Sequence, residues 1–243
     1  MTTEEFSNEF DILVSSYRRF KQFDRKEELD SLEFDEFEKS VYLTDAQESI
    51  VIDLYSGTLL EGFESTEQVR RYLNSIVKYK EINLENENTA NYLTRAGLKY
   101  YSIDLSKQID NLLFITYESV SFKDDSLGCK NGTTVQVIPT RQDELSRVVK
   151  NPFRGPNTSR ALRVDAGSNT IELVSKYSLG TYYIGYLEKP TPIILAPLPD
   201  DLSIDGKSTV MNSSLDPVLH RDILKRAVQT AVNSKISFKE KEK

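Results

Sequence analysis

The stretch that decides the fold reads Tyr182-Tyr183-Ile184-Gly185-Tyr186-Leu187-Glu188-Lys189-Pro190-Thr191-Pro192-Ile193-Ile194-Leu195. Its first half is aromatic and β-branched, a composition that suits a pleated, half-buried surface, so we predict a strand there. Pro190 and Pro192 lack the amide hydrogen that a sheet ladder needs, and they lack it at alternate positions. The strand is therefore predicted to end at Pro190.

Two shorter strand-like runs precede this stretch, Ala161 to Asp165 and Thr170 to Val174. The four residues between them, Ala166-Gly167-Ser168-Asn169, have the composition of a hairpin loop. The block from Asn151 to Leu195 is thus predicted to hold three consecutive strands.

The length and charge of the chain limit the kinds of protein it can be. Its 243 residues allow one domain, or one domain with a large excursion. The 31 Lys and Arg against 38 Asp and Glu give a formal net charge of −7, which argues against a surface that grips nucleic-acid phosphates, although nucleic acid could slide past it. The single cysteine, Cys129, excludes an internal disulfide. No signal peptide or membrane-spanning run is visible, so we expect synthesis in the cytosol.

Three helices are predicted in the first third of the chain, each from a capping-box spacing followed by apolar residues at helical period. The period is lost from Arg18 to Asp30, and Ser31 to Tyr42 is compatible with a short helical piece of its own. The capping pairs are Thr2 with Glu5, Thr44 with Gln47, and Ser65 with Gln68. The apolar positions are Phe6, Phe10, Leu13, Val14 and Tyr17; then Ala46, Ile50, Val51 and Leu54; then Val69, Tyr72, Leu73, Ile76 and Val77.

From about Asn83 the apolar residues alternate, which is typical of strands. Thr133 to Ile138 is a further β-branched strand that Pro139 ends. Thr140 with Asp143 is predicted to cap a short helix that Asn151-Pro152 terminates. The alternating residues are Tyr101, Ile103 and Leu105, and then Leu113, Ile115 and Tyr117.

The end of the chain is predicted to be a loop followed by one long helix. Asp216-Pro217 combines an N-cap residue with proline at the first helical position, which is a strong helix start. The helix then has one apolar stripe formed by Leu219, Ile223, Leu224, Ala227, Val228 and Ala231.

These elements predict an α+β fold. We expect residues 1–82 and 215–236 to form a helical bundle from the N-terminal helices and the C-terminal helix, and residues 83–200 to form a central antiparallel β-rich excursion. Residues 201–214 are predicted to be a loop or flap. Residues 237–243 are predicted to be a flexible tail, because alternating Lys and Glu bury too little apolar surface to order the chain.

No residue pattern identifies a catalytic, cofactor-binding or metal-binding site, and we predict none. His220 and Cys129 are the only residues of their types, too few for the usual nitrogen and sulfur metal site and far apart in sequence for a nucleophile and its base. The tyrosines and phenylalanines fit core packing and interface anchoring. One local basic cluster is either a solvated face or a surface that meets acidic residues of a neighbouring subunit: Arg141, Arg147, Lys150, Arg154, Arg160 and Arg163.

Three segments, in this order and followed by the helix at Asp216-Pro217, carry a resemblance to a known family. They are Phe34 to Gln47, Asn151-Pro152-Phe153-Arg154-Gly155-Pro156, and Tyr186 to Leu195. The chain resembles the head-to-tail adaptor and ring proteins of short-tailed bacteriophages, most closely those of crAss-like gut phages. The resemblance implies a helical part that carries a β-rich part, in copies that form a ring below the portal through which the genome passes.

The resemblance favours a virion structural protein, made in the host cytoplasm and located in the tail below the portal. Its expected partners are copies of itself in a dodecameric ring, the portal protein, neighbouring tail ring proteins, and passing double-stranded DNA that is not specifically bound. No membrane partner and no cofactor are expected. The interface residues are predicted to be Arg154, Arg160, Arg163, Ile236 and Phe238. The alternative function is a small α+β hydrolase or a carbohydrate-binding module that uses a carboxylate pair and surface tyrosines.

Overall fold

A computed structural model describes residues 1–21, 33–57, 65–84, 97–167, 169–199 and 201–241, with side chains throughout these ranges except at 18–21, 65, 66, 69 and 236–241. The helices are α1 (Thr3–Lys21), α2 (Glu36–Ser56), α3 (Ser65–Leu73), α4 (Leu105–Gln108), α5 (Gln142–Lys150) and α6 (His220–Lys241). The strands are β1 (Val77–Asn83), β2 (Lys99–Asp104), β3 (Leu112–Phe122), β4 (Thr134–Pro139), β5 (Arg160–Gly167), β6 (Thr170–Ser175) and β7 (Leu179–Glu188). Short 3-10 turns cover Asp125–Lys130 and Pro217–Leu219. The predicted α+β class is confirmed.

The chain divides into two compact units. We call Met1–Ile76 with Lys189–Lys243 the helical unit, and Val77–Glu188 the sheet unit. The sheet unit is thus inserted in the sequence of the helical unit.

The first helix begins as its sequence predicts. The backbone N–H of Thr2 donates to Glu5 Oε2 at 2.8 Å, and that of Glu5 donates to Thr2 Oγ1 at 3.2 Å, which completes a capping box. Phe6 and Phe10 are fully buried. The helix continues to Lys21, beyond Arg18 where the period in the sequence is lost.

The second helix begins earlier than predicted. Its capping box is formed by Asp35 and Glu38, and the helix then runs unbroken to Ser56, with Gly57 in the left-handed conformation as its end. The prediction of a separate short piece before Thr44 is therefore wrong, and Thr44 is not an N-cap. No helix-breaking residue lies between Asp35 and Thr44, so the first capping box on the chain starts the whole helix.

Thr44 is instead the middle member of a buried polar row on α2, formed by Ser40, Thr44 and Gln47. The row holds residues 191–195, whose backbone is extended: Leu195 N–H donates to Ser40 Oγ at 3.0 Å, Ile193 N–H to Thr44 Oγ1 at 3.1 Å, and Gln47 Nε2 to the Thr191 carbonyl at 2.8 Å. The backbone of the intervening residue, Ile194, instead forms hydrogen bonds with the backbone of Met211. The helix therefore acts as a hydrogen-bonding partner for an extended segment whose prolines keep it out of a regular ladder.

The last helix closes the helical unit. Asp216 Oδ1 accepts from Val218 N at 2.9 Å, as the sequence predicts for an N-cap. Every residue of the predicted apolar stripe is buried, and α6 packs against α2 and α1. Two ion pairs join α6 to α2, Arg226 to Asp53 at 2.6 Å and Lys235 to Glu38 at 3.0 Å. The helix continues to Lys241, so the helical backbone extends into the predicted tail.

The third predicted helix is shorter than expected. α3 ends at Leu73, and Val77, predicted as its last apolar residue, is the first residue of β1. β1 pairs antiparallel with β7 along its whole length, from Val77 opposite Leu187 to Asn83 opposite Thr181. This pairing outweighs the local helical pattern.

The seven strands form one sheet in the order β1-β7-β3-β4-β5-β6-β2. β7 is the strand of the opening stretch and ends at Glu188, as predicted. All pairings between these strands are antiparallel except that of β4 with β5, which is parallel, so the predicted antiparallel region is wrong at this pair. The reason is that α5 lies between β4 and β5 in the chain and serves as their crossover connection.

The sheet curls around one apolar core. Ile82 of β1 and Ile103 of β2, from the two edges of the sheet, belong to the same buried cluster as Val120, Leu173 and Tyr182. We call this side the inner face. The other side, the outer face, is covered by α5 over β5 and β6, where Leu145 packs with a smaller cluster that includes Leu162, Val164 and Val174. The predicted hairpin of β5 and β6 is confirmed, but its connection is shorter than the four residues predicted, because β5 continues to Gly167, which pairs with Thr170.

Candidate assembly interface

The segment Asn151-Pro152-Phe153-Arg154-Gly155-Pro156 forms a braced turn after α5. Asn151 Oδ1 accepts from the backbone N–H groups of Phe153 at 2.8 Å and Arg154 at 3.3 Å, and Gly155 N donates to the Asn151 carbonyl at 2.8 Å. A side chain at Gly155 would bring its Cβ to 2.9 Å from that carbonyl oxygen, so only glycine fits. α5 ends at Lys150 with Asn151 as its C-cap, where Asn151-Pro152 was predicted to terminate it, although Arg141 rather than Thr140 is its N-cap residue.

This turn presents an aromatic ring and a cation to the solvent. Phe153 is 82% exposed, and Arg154 beside it is also exposed. Neither Arg154 nor the half-buried Arg160 forms an ion pair with any residue that the structure describes. Phenylalanine and arginine are among the residues enriched in the buried centres of protein interfaces. The turn therefore has the composition and rigidity of an interface anchor.

The structure separates the predicted basic cluster into three kinds of residue. Arg141 and Arg147 are exposed, and they form ion pairs with Asp143 and Glu144 at the same helix. Such surface ion pairs contribute little to stability. Arg154 and Arg160, described above, and the exposed Lys150 form no ion pair with any described residue. Arg163, on the inner face of β5, is engaged within its own chain.

Arg163 belongs to a buried polar network in the sheet unit. Its Nη1 donates to Glu118 Oε2 at 2.6 Å, and Glu118 Oε1 accepts from the Tyr182 hydroxyl at 2.5 Å. Arg163 Nε lies 3.2 Å from Asp165 Oδ1, near enough for an ion pair but not aligned for a hydrogen bond. Burial, the Glu118 charge and the hydrogen bond to Glu118 raise the pKa of Tyr182, so this hydroxyl stays protonated. The charge of the guanidinium is therefore paired within its own chain, although Nε has no hydrogen-bond partner among the described residues.

The other two predicted interface residues are at the end of the chain. The side chains of Ile236 and Phe238 lie outside the described residues. The residue before them, Lys235, is described: besides its ion pair with Glu38 it donates to the Glu33 carbonyl, and its Nζ lies 4.0 Å from the centre of the Phe34 ring. Lys235 thus fixes this part of α6 to the start of α2.

The two residues considered for catalysis, His220 and Cys129, lie in different environments. His220 is buried, with its ring centre 5.3 Å from that of Phe6 and its Nε2 3.3 Å from the Leu215 carbonyl. Burial lowers the pKa of His220, which favours the neutral ring. Cys129 is exposed in a 3-10 turn. Within the described ranges no cluster of three His, Cys, Asp or Glu could hold a metal ion. No described helix has the length and apolarity to cross a bilayer.

Comparison with known proteins gives a consistent result along the whole chain. A family model described as phage tail ring protein 3/4 matches residues 1–243. Ring protein 3 of Bacteroides phage crAss001 is 43% identical over 239 residues, covering 97% of this chain and 96% of the relative. Ring protein 4/5 of the same phage is 28% identical over 242 residues, covering 95% and 92%.

Proposed function

Because the chain belongs to the phage tail ring protein 3/4 family, and is thus a structural protein of the tail of a crAss-like phage, we propose that its copies form one portal-proximal ring. This ring connects the capsid to the tail and lines the genome channel. Its partners are the portal protein and the adjacent tail rings. We propose twelve copies in the ring, which is the number expected from the resemblance to portal-bound ring proteins. The role is geometric, and no catalytic activity is proposed.

The observation that carries this proposal is the braced turn with exposed Phe153 and unpaired Arg154. A closed ring of identical subunits uses a heterologous contact, in which one patch of a subunit meets a different patch of the next. Each subunit has a formal net charge of −7, so neighbouring subunits repel one another. Arg154 and Arg160 offset this repulsion if they meet carboxylates of the neighbour. Arg163 is left out of this role because its charge is already paired.

The acidic charge also suits the channel. Double-stranded DNA carries one negative charge per ~1.7 Å of its axis, and a net-negative lumen repels it. The genome can then slide through the ring without binding specifically, whereas a basic lumen would retain it.

The C-terminal part of α6 is proposed to dock into a partner ring. Ile236 and Phe238 are apolar residues in a sequence that is otherwise charged, and such residues serve as anchors when the segment is covered by a partner. We expect their side chains to be buried against the portal or the next ring in the assembled tail.

Mass photometry of the purified protein tests the ring. We expect a closed oligomer whose assembly weakens in Arg154→Glu/Arg160→Glu. Added salt should weaken wild-type assembly by screening the opposite-charge contact, but should no longer weaken assembly of the variant, whose Glu side chains repel the same carboxylates. The matched control is Arg141→Glu/Lys107→Glu, which makes the same charge change at side chains that are 81% and 78% exposed and already paired locally. Equal effects of the two double variants would contradict the proposed interface, and a strictly monomeric wild type would contradict the ring.

A further inference from the structure

Three tyrosines from three adjacent strands line a groove on the outer face of the sheet. Tyr79 of β1 and Tyr117 of β3 both stand opposite Gly185 of β7, while Tyr183 stands in the next row of the sheet, opposite Glu81. Tyr79 is 76% exposed and Tyr117 is 53% exposed, which is high for such large rings. α5 covers the outer face at β5 and β6 and leaves this part open.

Gly185 allows Tyr79 and Tyr117 to approach each other across β7. A Cβ at this position would lie 2.9 Å from Tyr79 Cε1 and 3.1 Å from Tyr117 Cβ, so the two side chains occupy the space that another side chain would need. The result is a groove of about 380 Å³ with aromatic walls, lined also by Ser119 and Thr134. Because Tyr79 and Tyr117 are largely exposed, the groove is open to a side chain from another molecule.

The charges at the groove favour a cationic guest. Lys80 also contributes to the lining, but the alternation of side chains along β1 places its side chain on the same face as buried Ile82, away from Tyr79 and Glu81, and its Nζ donates to the Gln108 carbonyl. Glu81 is exposed, and no ion pair joins it to another residue in the part of the chain that the structure describes. The groove therefore combines aromatic rings, which attract aromatic and guanidinium groups, with one unpaired carboxylate.

We propose that this groove receives Phe153 and Arg154 of a neighbouring copy. The Phe153 ring packs against the exposed rings of Tyr79 and Tyr117, and the Arg154 guanidinium pairs with Glu81. The inference rests on the proposed ring, and it names the two surfaces that the ring contact joins. The braced turn has an exposed ring and an unpaired cation, and the groove has exposed rings and an unpaired anion, so each surface supplies what the other lacks. Both belong to the sheet unit, which fits a head-to-tail contact between identical subunits.

A charge exchange tests the contact. Arg154→Glu and Glu81→Arg should each raise the concentration needed for half-maximal ring assembly by roughly 30-fold, the effect of a hot-spot residue, and the chain that carries both should recover most of this loss. The control is Arg154→Glu combined with Asp143→Arg, which reverses an exposed carboxylate that already pairs with Arg141 and should recover none of the loss. Both exchanged residues are exposed, so unchanged circular dichroism and Tm should show that each variant folds.

Mixing variants tests the direction of the contact. Phe153→Ala/Arg154→Ala retains the groove, and Tyr79→Ala/Glu81→Arg retains the turn. Each alone should stay monomeric, and a 1:1 mixture under native mass spectrometry should give the heterodimer, since the intact groove of one meets the intact turn of the other.

The outcomes separate this inference from the ring itself. If the wild type forms rings and the single charge variants assemble normally, or if the exchanged chain is no better than Arg154→Glu alone, the contact is refuted and the ring stands. If the wild type remains monomeric at every concentration, the ring and the contact fail together.

Discussion

Replacing Ser40 with alanine tests how α2 holds the extended segment 191–195. Ser40 is fully buried near the start of α2, where its hydroxyl accepts the Leu195 N–H at 3.0 Å and donates to the Glu36 carbonyl at 2.6 Å. Alanine removes the acceptor and leaves the buried Leu195 N–H without that partner. Ser16 on α1 is the matched control, because it donates to the Ile12 carbonyl at 2.9 Å in the same i−4 manner.

The two substitutions should change the free energy of unfolding in opposite directions. Alanine is a better helix former than serine by roughly half a kcal/mol, so Ser16→Ala should be neutral or slightly stabilising. An unsatisfied buried N–H costs about 1–3 kcal/mol, which outweighs that gain at Ser40. We expect Ser40→Ala to lose about 1.5 kcal/mol, or about 3–6 °C in Tm for a chain of this size.

Urea unfolding of the two variants measures the sign of the change in the free energy of unfolding. Amide hydrogen exchange shows which part of the chain is destabilised. Exchange at Leu195 should become roughly tenfold faster in Ser40→Ala and stay unchanged in Ser16→Ala. If Ser40→Ala is as stable as wild type and its Leu195 amide remains protected, the hydroxyl does not hold the segment and our interpretation of the polar row is wrong.

Three further predictions concern other parts of the chain. Arg163→Met should destabilise the fold by about 3–5 kcal/mol in urea unfolding, because it leaves Glu118 buried without its cation, and the double change Glu118→Leu/Arg163→Met should recover part of that loss. Burial alone would lower the pKa of Lys39, but hydrogen bonds to the carboxylates of Asp11 and Glu36 raise this pKa above 10.5. The stabilisation that Lys39 provides is therefore complete below pH 10.5 and is lost as the pH rises through the higher folded pKa. The stability difference between wild type and Lys39→Met should accordingly shrink above that pH. Deleting residues 236–243 should leave Tm nearly unchanged and abolish attachment to the portal or adjacent ring in a pull-down, whereas a deletion that includes Lys235 should also lower Tm.

Local signals in the sequence predicted the elements whose ends are set by nearby residues. The capping box of Thr2 and Glu5, the end of β7 before Pro190, and the N-cap at Asp216 are all confirmed, because each depends on hydrogen bonds within a few positions. The buried stripe of α6 could be predicted in the same way, since apolar residues at this period share one face only when the chain is helical.

Features that depend on distant residues could not be predicted in this way. The spacing of Thr44 and Gln47 is that of a capping box, yet the same spacing places both residues on one side of a continuous helix, where they bind a segment about 150 positions later. The parallel pairing of β4 with β5 depends on the crossover through α5. Arg154 and Arg163 carry the same charge, so the sequence does not distinguish them. Arg163 is buried because its side chain lies on the inner face of β5, where it pairs with Glu118.

The three segments that carry the family resemblance now separate by physical role. The first, Phe34 to Gln47, contains the polar row of α2, and the third ends with the extended residues 191–195 that this row binds, so these two segments are the two halves of one buried contact in the helical unit. The segment Asn151 to Pro156 has no such partner among the described residues; its own hydrogen bonds only brace the turn. Folding of the subunit therefore accounts for the first and third segments, but it gives no reason to hold an 82% exposed phenylalanine beside an unpaired arginine. A contact made only after folding, with a second copy of the chain, supplies that reason.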